Sequence, residues 1–395
     1  MFLDLGGTVR ALSPEQTLAK LRPLLPLFGI TRVIAQEGLG DAKIPVTIAC
    51  RPNSRLLSTS QGKGVTRELA DISAIMEAIE MFHAERMPAP AVIASAADLR
   101  LSGRRFFDPM RLPQLPRRAL YSEVEPIGWV ELTHLRGGEP VLCPRAIFTM
   151  DATTRRTEIA SLALSISSNG LASGNTLEEA IVHGLYELIE RHCIYHFRYT
   201  MPLADRARRL VDLDTFRGVP HIDDLRQRLE ATGLNVWAVA MHTDLGIPVF
   251  TAHIGDKSPL KRREKEYGGC GAHYIPEVAL SRAITEAVQS QITVITGSRD
   301  DLFPWTYQDL ELEETRTRSD GMVADVKRDD LPRPPSFTSF EEALDWTLTT
   351  LEQHGIADSA YFNHQRPEWG DVPVVSVVSP GLELDLGLIH PLQRK

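Results

Sequence analysis

Apolar residues recur three and four positions apart in several stretches of the chain and alternate in others, so both helices and strands are expected. The helical pattern covers residues 14–25, 66–86, 174–191, 221–232, 276–293 and 339–354. The first of these opens with Ser13 as N-cap and Pro14 at the first helical position. β-Branched and apolar runs predict strands in "TRVIAQ" (31–36), "IPVTIACRP" (44–52), "GWVEL" (128–132), "PVLCP" (140–144), "NVWAVAMHT" (235–243), "IPVFTAHIG" (247–255), "SAYFN" (359–363) and "VPVVSVVSP" (372–380). Residues 98–120 read as irregular, and 256–271 as a charged loop ending in glycines. The charged, proline-ended stretch 299–337 reads as a surface excursion within a single catalytic unit spanning 1–395. Helices and strands intermix without strict alternation, which predicts an α/β (α+β) fold of mixed sheets packed with helices.

Three of the helices share a register. When Ala70, Ala180 and Ala279 are aligned, "LADISAIMEAIE", "EAIVHGLYELIE" and "VALSRAITEAVQ" superpose. Glu77, Glu187 and Glu286 then coincide, as do Glu80, Glu190 and Gln289, and as do Ser73, His183 and Arg282. Steps of three and four place these positions on one polar stripe of each helix, opposite an apolar one. The alanines stand roughly a hundred residues apart, too far for a tandem solenoid, so duplicated lobes are the better reading. One Glu-x-x-Glu is ordinarily a solvated face, but three helices in one register are not expected of unrelated surfaces. Like charges stacked along a helix repel. Facing helices that converge such carboxylates on Mg²⁺ cancel that repulsion, and the ion keeps positions for phosphate oxygens.

Composition narrows the field. The chain has 395 residues, 43% hydrophobic and 24% charged, in the range of a globular protein, and a net charge of −9 argues against a general nucleic-acid binder. No apolar run is long enough to span a bilayer, and the N-terminus lacks the pattern of a signal peptide, so a cytoplasmic protein is expected. The four cysteines, Cys50, Cys143, Cys193 and Cys270, form no CxxC. Cys193/His196 and Cys270/His273 make two Cys-x-x-His pairs that could hold zinc; buried structural residues are the commoner meaning of so short a pattern.

No GxxxxGK[ST] and no GxGxxG between strand and helix is present. "QGKG" (61–64) does precede a helix, where Lys63 and backbone N–H groups could meet phosphate. "SGNT" (173–176) holds the same place before the next helix, with Asn175 or Thr176 as N-cap or ligand contact. Arg191 and Arg282 could neutralise phosphate or pair with nearby glutamates.

At these residues the sequence resembles the YcaO family. "QGKGVTRELADISAIMEAIEMFHAE", "SSNGLASGNTLEEAIVHGLYELIERH" and "GCGAHYIPEVALSRAITEAVQSQITVITGSRDD" follow that family's pattern in its order. The resemblance implies an ATP site unrelated to P-loops, with Mg²⁺ held by helix glutamates. Carried over, the metal set is Glu77, Glu80, Glu179, Glu187 and Glu190. Arg10, Lys63, Ser73, Asn175, Arg191 and Arg282 join it around the nucleotide, Glu178 being the alternative to its neighbour Glu179. Arg191, Arg282 and Glu286 are the expected catalytic residues. His183, in the same acidic stripe, is a candidate proton acceptor, though a packed histidine is the plainer reading.

The resemblance also implies the reaction. Family members use ATP to activate a peptide backbone amide toward a nucleophile. A neighbouring side chain gives an azoline; external sulfide gives a thioamide. Azoline-forming members usually end in a PxPxP tail, whereas this chain ends "GLIHPLQRK". The opening, "GGTVRALSPEQT" through "STSQGKG", resembles the branch encoded with TfuA-type proteins, although Gly40 follows Gly38-Leu39 where that branch places Asp. Thioamide formation on a ribosomal peptide or protein, with a sulfide source, a TfuA-like partner and a homodimeric enzyme, is therefore expected. An azoline-forming cyclodehydratase and a non-catalytic ATP-binding scaffold are the alternatives.

Overall fold

In the computed structural model the described residues are 2–36, 38–40, 42–112, 121–153, 164, 166–256, 266–302 and 324–384. They form two compact units, each assembled from separated pieces of chain. Unit 1 comprises Met1–Asn53, Leu57–Ala78 and Cys193–Thr338; unit 2 comprises Ser54–Leu56, Ile79–His192 and Ser339–Lys395.

Unit 1 carries strands β1 (Leu3–Asp4) and β2 (Val9–Arg10), paired antiparallel. A three-stranded antiparallel sheet follows, β3 (Arg32–Ala35), β4 (Val46–Cys50) and β5 (Thr59–Lys63), with β5 at an edge. Helix α1 (Pro14–Leu21) precedes it, with Ser13 and Gln16 forming a capping box. Pro23, in the 3-10 turn Arg22–Leu24, ends that helix short of the predicted residue 25.

Helix α2 (Arg67–Ala84) leaves β5 through a short turn and runs from unit 1 into unit 2. Unit 2 then adds β6 (Val92–Ala94), the short helix α3 (Ala96–Leu101), β7 (Ile127–His134), β8 (Val141–Pro144) and β9 (Leu171–Ser173). Helix α4 (Leu177–Tyr199) carries the chain back to unit 1. It is longer than residues 174–191 suggested, because the aromatic run "YHFRY" continues it. In unit 1 come the four-residue α5 (Leu203–Arg206), α6 (Pro220–Ala231), β10 (Leu234–Ala240), β11 (Val249–Asp256), β12 (Tyr267–Ala272) and α7 (Pro276–Thr296). Unit 2 closes with α8 (Phe340–Gln353), β13 (Ala360–Asn363) and β14 (Val374–Val378).

In unit 1, β10, β11 and β12 form an antiparallel sheet with β12 at its edge. Phe250, Ala252 and Ile254, alternating along β11, share a core with Ala279, Ala283, Ile284, Ala287 and Val288 of α7 and with Ile222, Leu225 and Leu229 of α6. In unit 2 the sheet order is β6-β7-β13-β14-β9, with β8 also paired to β7 and β9 at an edge. Trp129 is its largest fully buried side chain and donates its indole N–H to the Ala94 carbonyl at 2.9 Å.

The expected α/β fold is present, with three differences. The stretch 256–271 is partly β12, which glycine-rich "YGGCGA" conceals. A Cβ on Gly269 or Gly271 would run into the backbone of α7, so the helix can lie on this strand only because side chains are missing there. Gly62 of β5 meets the α2 backbone at Ala70 and Ala74 in the same way. Residues 96–101, inside or beside the stretch expected to be irregular, are helical. Of the excursion expected at 299–337, residues 303–323 lie outside the described residues. Its far end is partly built in: Val326 bridges Val211, and Leu331 is buried in the unit 1 core.

Candidate functional site

The internal similarity becomes a structural unit: an edge strand, a tight turn and a glutamate-bearing helix. β5 leads to α2, β9 to α4 and β12 to α7. In each, the first aligned glutamate accepts a backbone N–H from its own edge strand or the turn before it. Glu286 accepts from Cys270 at 3.2 Å, Glu187 accepts from Gly170 at 3.2 Å, and Glu77 accepts from Gln61. An edge strand presents unpaired N–H groups, and these carboxylates satisfy one each.

Around unit 1 this leaves a mixed set of charges. Lys63 Nζ donates to Glu286 Oε2 at 2.5 Å, both side chains half-buried. Glu77 has its pKa raised by burial, against the opposing pull of Arg299 and Lys63. Arg299 is held by Asp301 at 2.6 Å, and its own pKa is raised, first by that bond. Gln289, the position equivalent to Glu80 and Glu190, donates to the Gln61 carbonyl at 2.9 Å and so caps β5. Ser73 is half-buried on α2, with Arg10 half-buried on β2 and Arg282 half-buried on α7. The imidazole of buried His273 is pushed well down by burial, then by the charges of Arg282 and Arg10. Arg10, Lys63, Arg282 and Arg299 are thus four cationic side chains of unit 1, Lys63 paired with Glu286 and Arg299 with Asp301.

Unit 2 carries the acidic counterpart. Glu80 accepts from Ser173 Oγ at 2.6 Å. Asn175 donates from its backbone N and from Nδ2 to Glu179 Oε2 at 3.2 and 3.3 Å. Thr176 is the helix cap, its hydroxyl accepting from the Glu179 N–H at 3.2 Å. Glu179 is 2% exposed and Glu190 5%, while Glu187, Glu178 and His183 are half-buried. Arg191 lies 3.7 Å from Glu187 and 3.6 Å from Glu190, wide of a direct bond.

The predicted residues therefore fall into two sets. Arg10, Lys63, Ser73, Glu77, Arg282 and Glu286 belong to unit 1; Glu80, Asn175, Glu179, Glu187, Glu190 and Arg191 belong to unit 2. Among the described residues no three His, Cys, Asp or Glu side chains form a ready metal cage. The donor chemistry still fits Mg²⁺, which takes one or two protein carboxylates and completes its shell with water and phosphate oxygens. Of the two Cys-x-x-His pairs, Cys193 is buried with its thiol 3.7 Å from Thr243 Oγ1, and Cys270 is half-buried with its thiol 3.8 Å from Thr251 Oγ1. The sequence alone does not single out Arg299, although "GSRDD" follows the third helix directly; it shows Ser173 only as part of "SGNT" and His273 only as part of a Cys-x-x-His pair, neither as a partner of these charges.

A family model described as YcaO cyclodehydratase, ATP- and Mg²⁺-binding, matches residues 61–383. The chain belongs to the YcaO family. An uncharacterized protein in the tfuA 3′ region of Rhizobium leguminosarum bv. trifolii is 35% identical over 95% of this YcaO chain and 89% of its own length. A protein of Methanothermobacter thermautotrophicus is 33% identical over 95% of each chain. Among solved structures, YcaO from Methanopyrus kandleri bound with AMPPCP and Mg²⁺ superposes with TM-score 0.73 at 22% identity, over 98% of this chain and 96% of that one. A heterocyclase in complex with substrate and cofactor gives 0.76 at 23% identity, over 95% of this chain; the present YcaO protein spans 53% of that larger chain. At such identities these two likenesses show the shared fold. No described helix is long and apolar enough to cross a membrane.

Proposed function

We propose that this YcaO protein spends ATP to convert a backbone amide of a ribosomal peptide or protein into a thioamide, with a sulfide source and a TfuA-like partner. What carries the choice of product is the relative in the tfuA 3′ region, alike over nearly the whole of both chains. The enzyme is placed in the cytoplasm, and a homodimer is the proposed assembly.

The chemical problem is that amide oxygen is a poor leaving group. Sulfide adds to the carbonyl carbon, and the resulting oxyanion attacks the γ-phosphorus, releasing ADP. The C–O bond then breaks with loss of inorganic phosphate, the sulfur sheds its proton, and C=S remains. Glu77, Glu80, Glu187 and Glu190 are the carboxylates that would hold Mg²⁺, which would supply neutralisation of phosphate charge. Glu179, already bonded to the Asn175 turn, shapes that turn and completes the acidic set.

The chain's own groups do the rest. Arg10, Lys63, Arg191 and Arg282 orient the triphosphate, and the arginines stabilise charge as the γ-phosphoryl group moves. Ser73 and Asn175 offer neutral hydrogen bonds to the nucleotide. Glu286 holds Lys63 in place and ties α7 to β12 through the Cys270 N–H. Nothing in this scheme needs a covalent nucleophile.

The test is incubation of the whole chain with ATP, Mg²⁺, a candidate precursor peptide, sulfide and the TfuA-like partner, followed by mass spectrometry. Thioamidation exchanges one oxygen for sulfur and survives acid work-up. Loss of one water instead identifies an azoline, a reading favoured by the family's cyclodehydratase description and the heterocyclase likeness. Saturable Mg-ATP binding with no phosphate release under any combination sinks both reactions and leaves a scaffold.

A further inference from the structure

A concave site lies in unit 1, apart from the glutamate helices' polar stripes. It is a cleft of about 350 Å³ lined by His196, Thr200, Met201, Arg209, His242, Thr243 and Asp244. Its central contact is Arg209 Nη1 to His242 Nε2, 3.0 Å apart. A guanidinium can only donate. The imidazole must therefore accept at Nε2 and carry its hydrogen on Nδ1. That Nδ1 is buried and meets no hydrogen-bond partner among the described residues. Burial first, then the charge of Arg209, pushes the His242 pKa down to about 4, so the ring is neutral at physiological pH.

The arrangement is costly as pure structure. A buried donor goes unsatisfied, and the arginine it orients has no carboxylate partner among the described residues. Asp244 lines the same cleft but does not pair with it. A guanidinium held by a neutral ring in a concave site is a receptor for an anion. Asp244 bars a second negative charge, so the site suits one carboxylate rather than a phosphate chain. Tyr199, next to Thr200, and Leu203, two residues past Met201, are 59% and 77% exposed, which adds apolar surface beside the charge.

The position is also telling. His242 follows the end of β10, and Met241 N–H bonds the carbonyl of Val249 at the start of β11. His273, just past β12, bonds the carbonyl of Pro248. The cleft and the Arg10–His273–Arg282 group thus lie at the same end of one three-stranded sheet, two strand spacings or roughly 10 Å apart.

We infer that this cleft is a specificity subsite for the peptide substrate, in which Arg209 receives the side-chain carboxylate of an acidic residue flanked by apolar ones. The inference rests on the peptide reading given above. His242 is a positioning residue that fixes the guanidinium; Asp244 limits the subsite to one acidic side chain.

The test compares two capped peptides, acetyl-Leu-Glu-Leu-amide and acetyl-Leu-Gln-Leu-amide, binding to the full chain, with the His242 ring resonances followed by NMR. The glutamyl peptide is expected to bind roughly tenfold tighter, the factor of one charge-assisted hydrogen bond, and to shift those resonances. Arg209→Ala should erase the preference, and Arg209→Lys should restore part of it. Asp244→Asn, an exposed change that leaves the fold alone, should tighten the glutamyl peptide and spare the glutaminyl one. Equal affinity of the two peptides for the wild-type chain, or an unchanged preference in Arg209→Ala, overturns the subsite. Mg-ATP affinity measured on the same samples separates the two levels. Its absence in the wild-type chain defeats the nucleotide reading, while the peptide preference still stands or falls on its own ratio.

Discussion

Each of Glu77, Glu187 and Glu286 has a structural duty as well as the proposed chemical one, because each accepts a backbone N–H at its own strand. Glutamine keeps the acceptor and removes the charge, so Glu→Gln separates the two duties. Glu286→Gln is expected to lower ATP turnover by roughly 100-fold, the scale of losing a charge-positioning group, with a melting temperature near that of the wild type. Coupled phosphate release and differential scanning fluorimetry check both halves. Glu77 behaves differently because burial holds its pKa above the ordinary value. A raised carboxyl favours the native state most below its unfolded pKa, and that contribution is lost as pH rises through the folded one. At neutral pH the ionised form is a burden on the metal-free protein. Glu77→Gln should therefore raise the apo melting temperature, read by scanning fluorimetry, while weakening Mg²⁺-dependent nucleotide binding, read by calorimetry. A Glu77→Gln protein that melts lower than the wild type contradicts this account.

At the scale of elements, the glutamate helices were legible because three polar stripes shared one register, a pattern carried wholly by side-chain spacing. Their strands were not. β12 has no alternation to read, since its inward positions Gly269 and Gly271 are empty so that α7 can lie against the backbone. β5, "TSQGK", and β9, "LAS", are short edge strands; the Gln61 N–H of β5 and the Gly170 N–H just before β9 are taken by Glu77 and Glu187 of the following helices, and local propensity carries no trace of that. The same logic makes Gly271→Ala a sharp test. Its methyl group would meet the Ala279 carbonyl and the Ala283 nitrogen, which cannot move without shifting the helix. A loss of about 1–3 kcal/mol in chemical unfolding is expected, whereas Gly103→Ala, whose Cβ would meet nothing, should cost only the strain of its left-handed φ of 69°. The Arg209–His242 pair, 33 residues apart in sequence, shows the other limit: that guanidinium's partner is set by tertiary contact and not by sequence neighbours.

For the molecule as a whole, acid is the informative perturbation. His242 and His273 in unit 1 and His364 in unit 2 all have depressed pKa values, His242 at about 4 and His364 at about 3, with burial the leading cause. Unfolding returns them to ordinary imidazoles, so the unfolded chain binds more protons as the pH falls below about 6.5. The stability they contribute is complete above that pH and lost as the pH falls toward the folded values, by roughly 1 kcal/mol per pH unit for each histidine. Melting temperature measured from pH 7 to pH 4 should fall steeply. His364→Gln, which removes one of these titrations, should make that fall shallower.

The threading of the chain has a practical corollary. Each unit is stitched from three discontinuous stretches, and α2 and α4 each begin in one unit and finish in the other. No cut of the polypeptide yields either half as a contiguous fragment, so recombination by simple exchange of gene segments is closed to this architecture. Diversification must proceed by changing surface loops and clefts in place, with both halves inherited together.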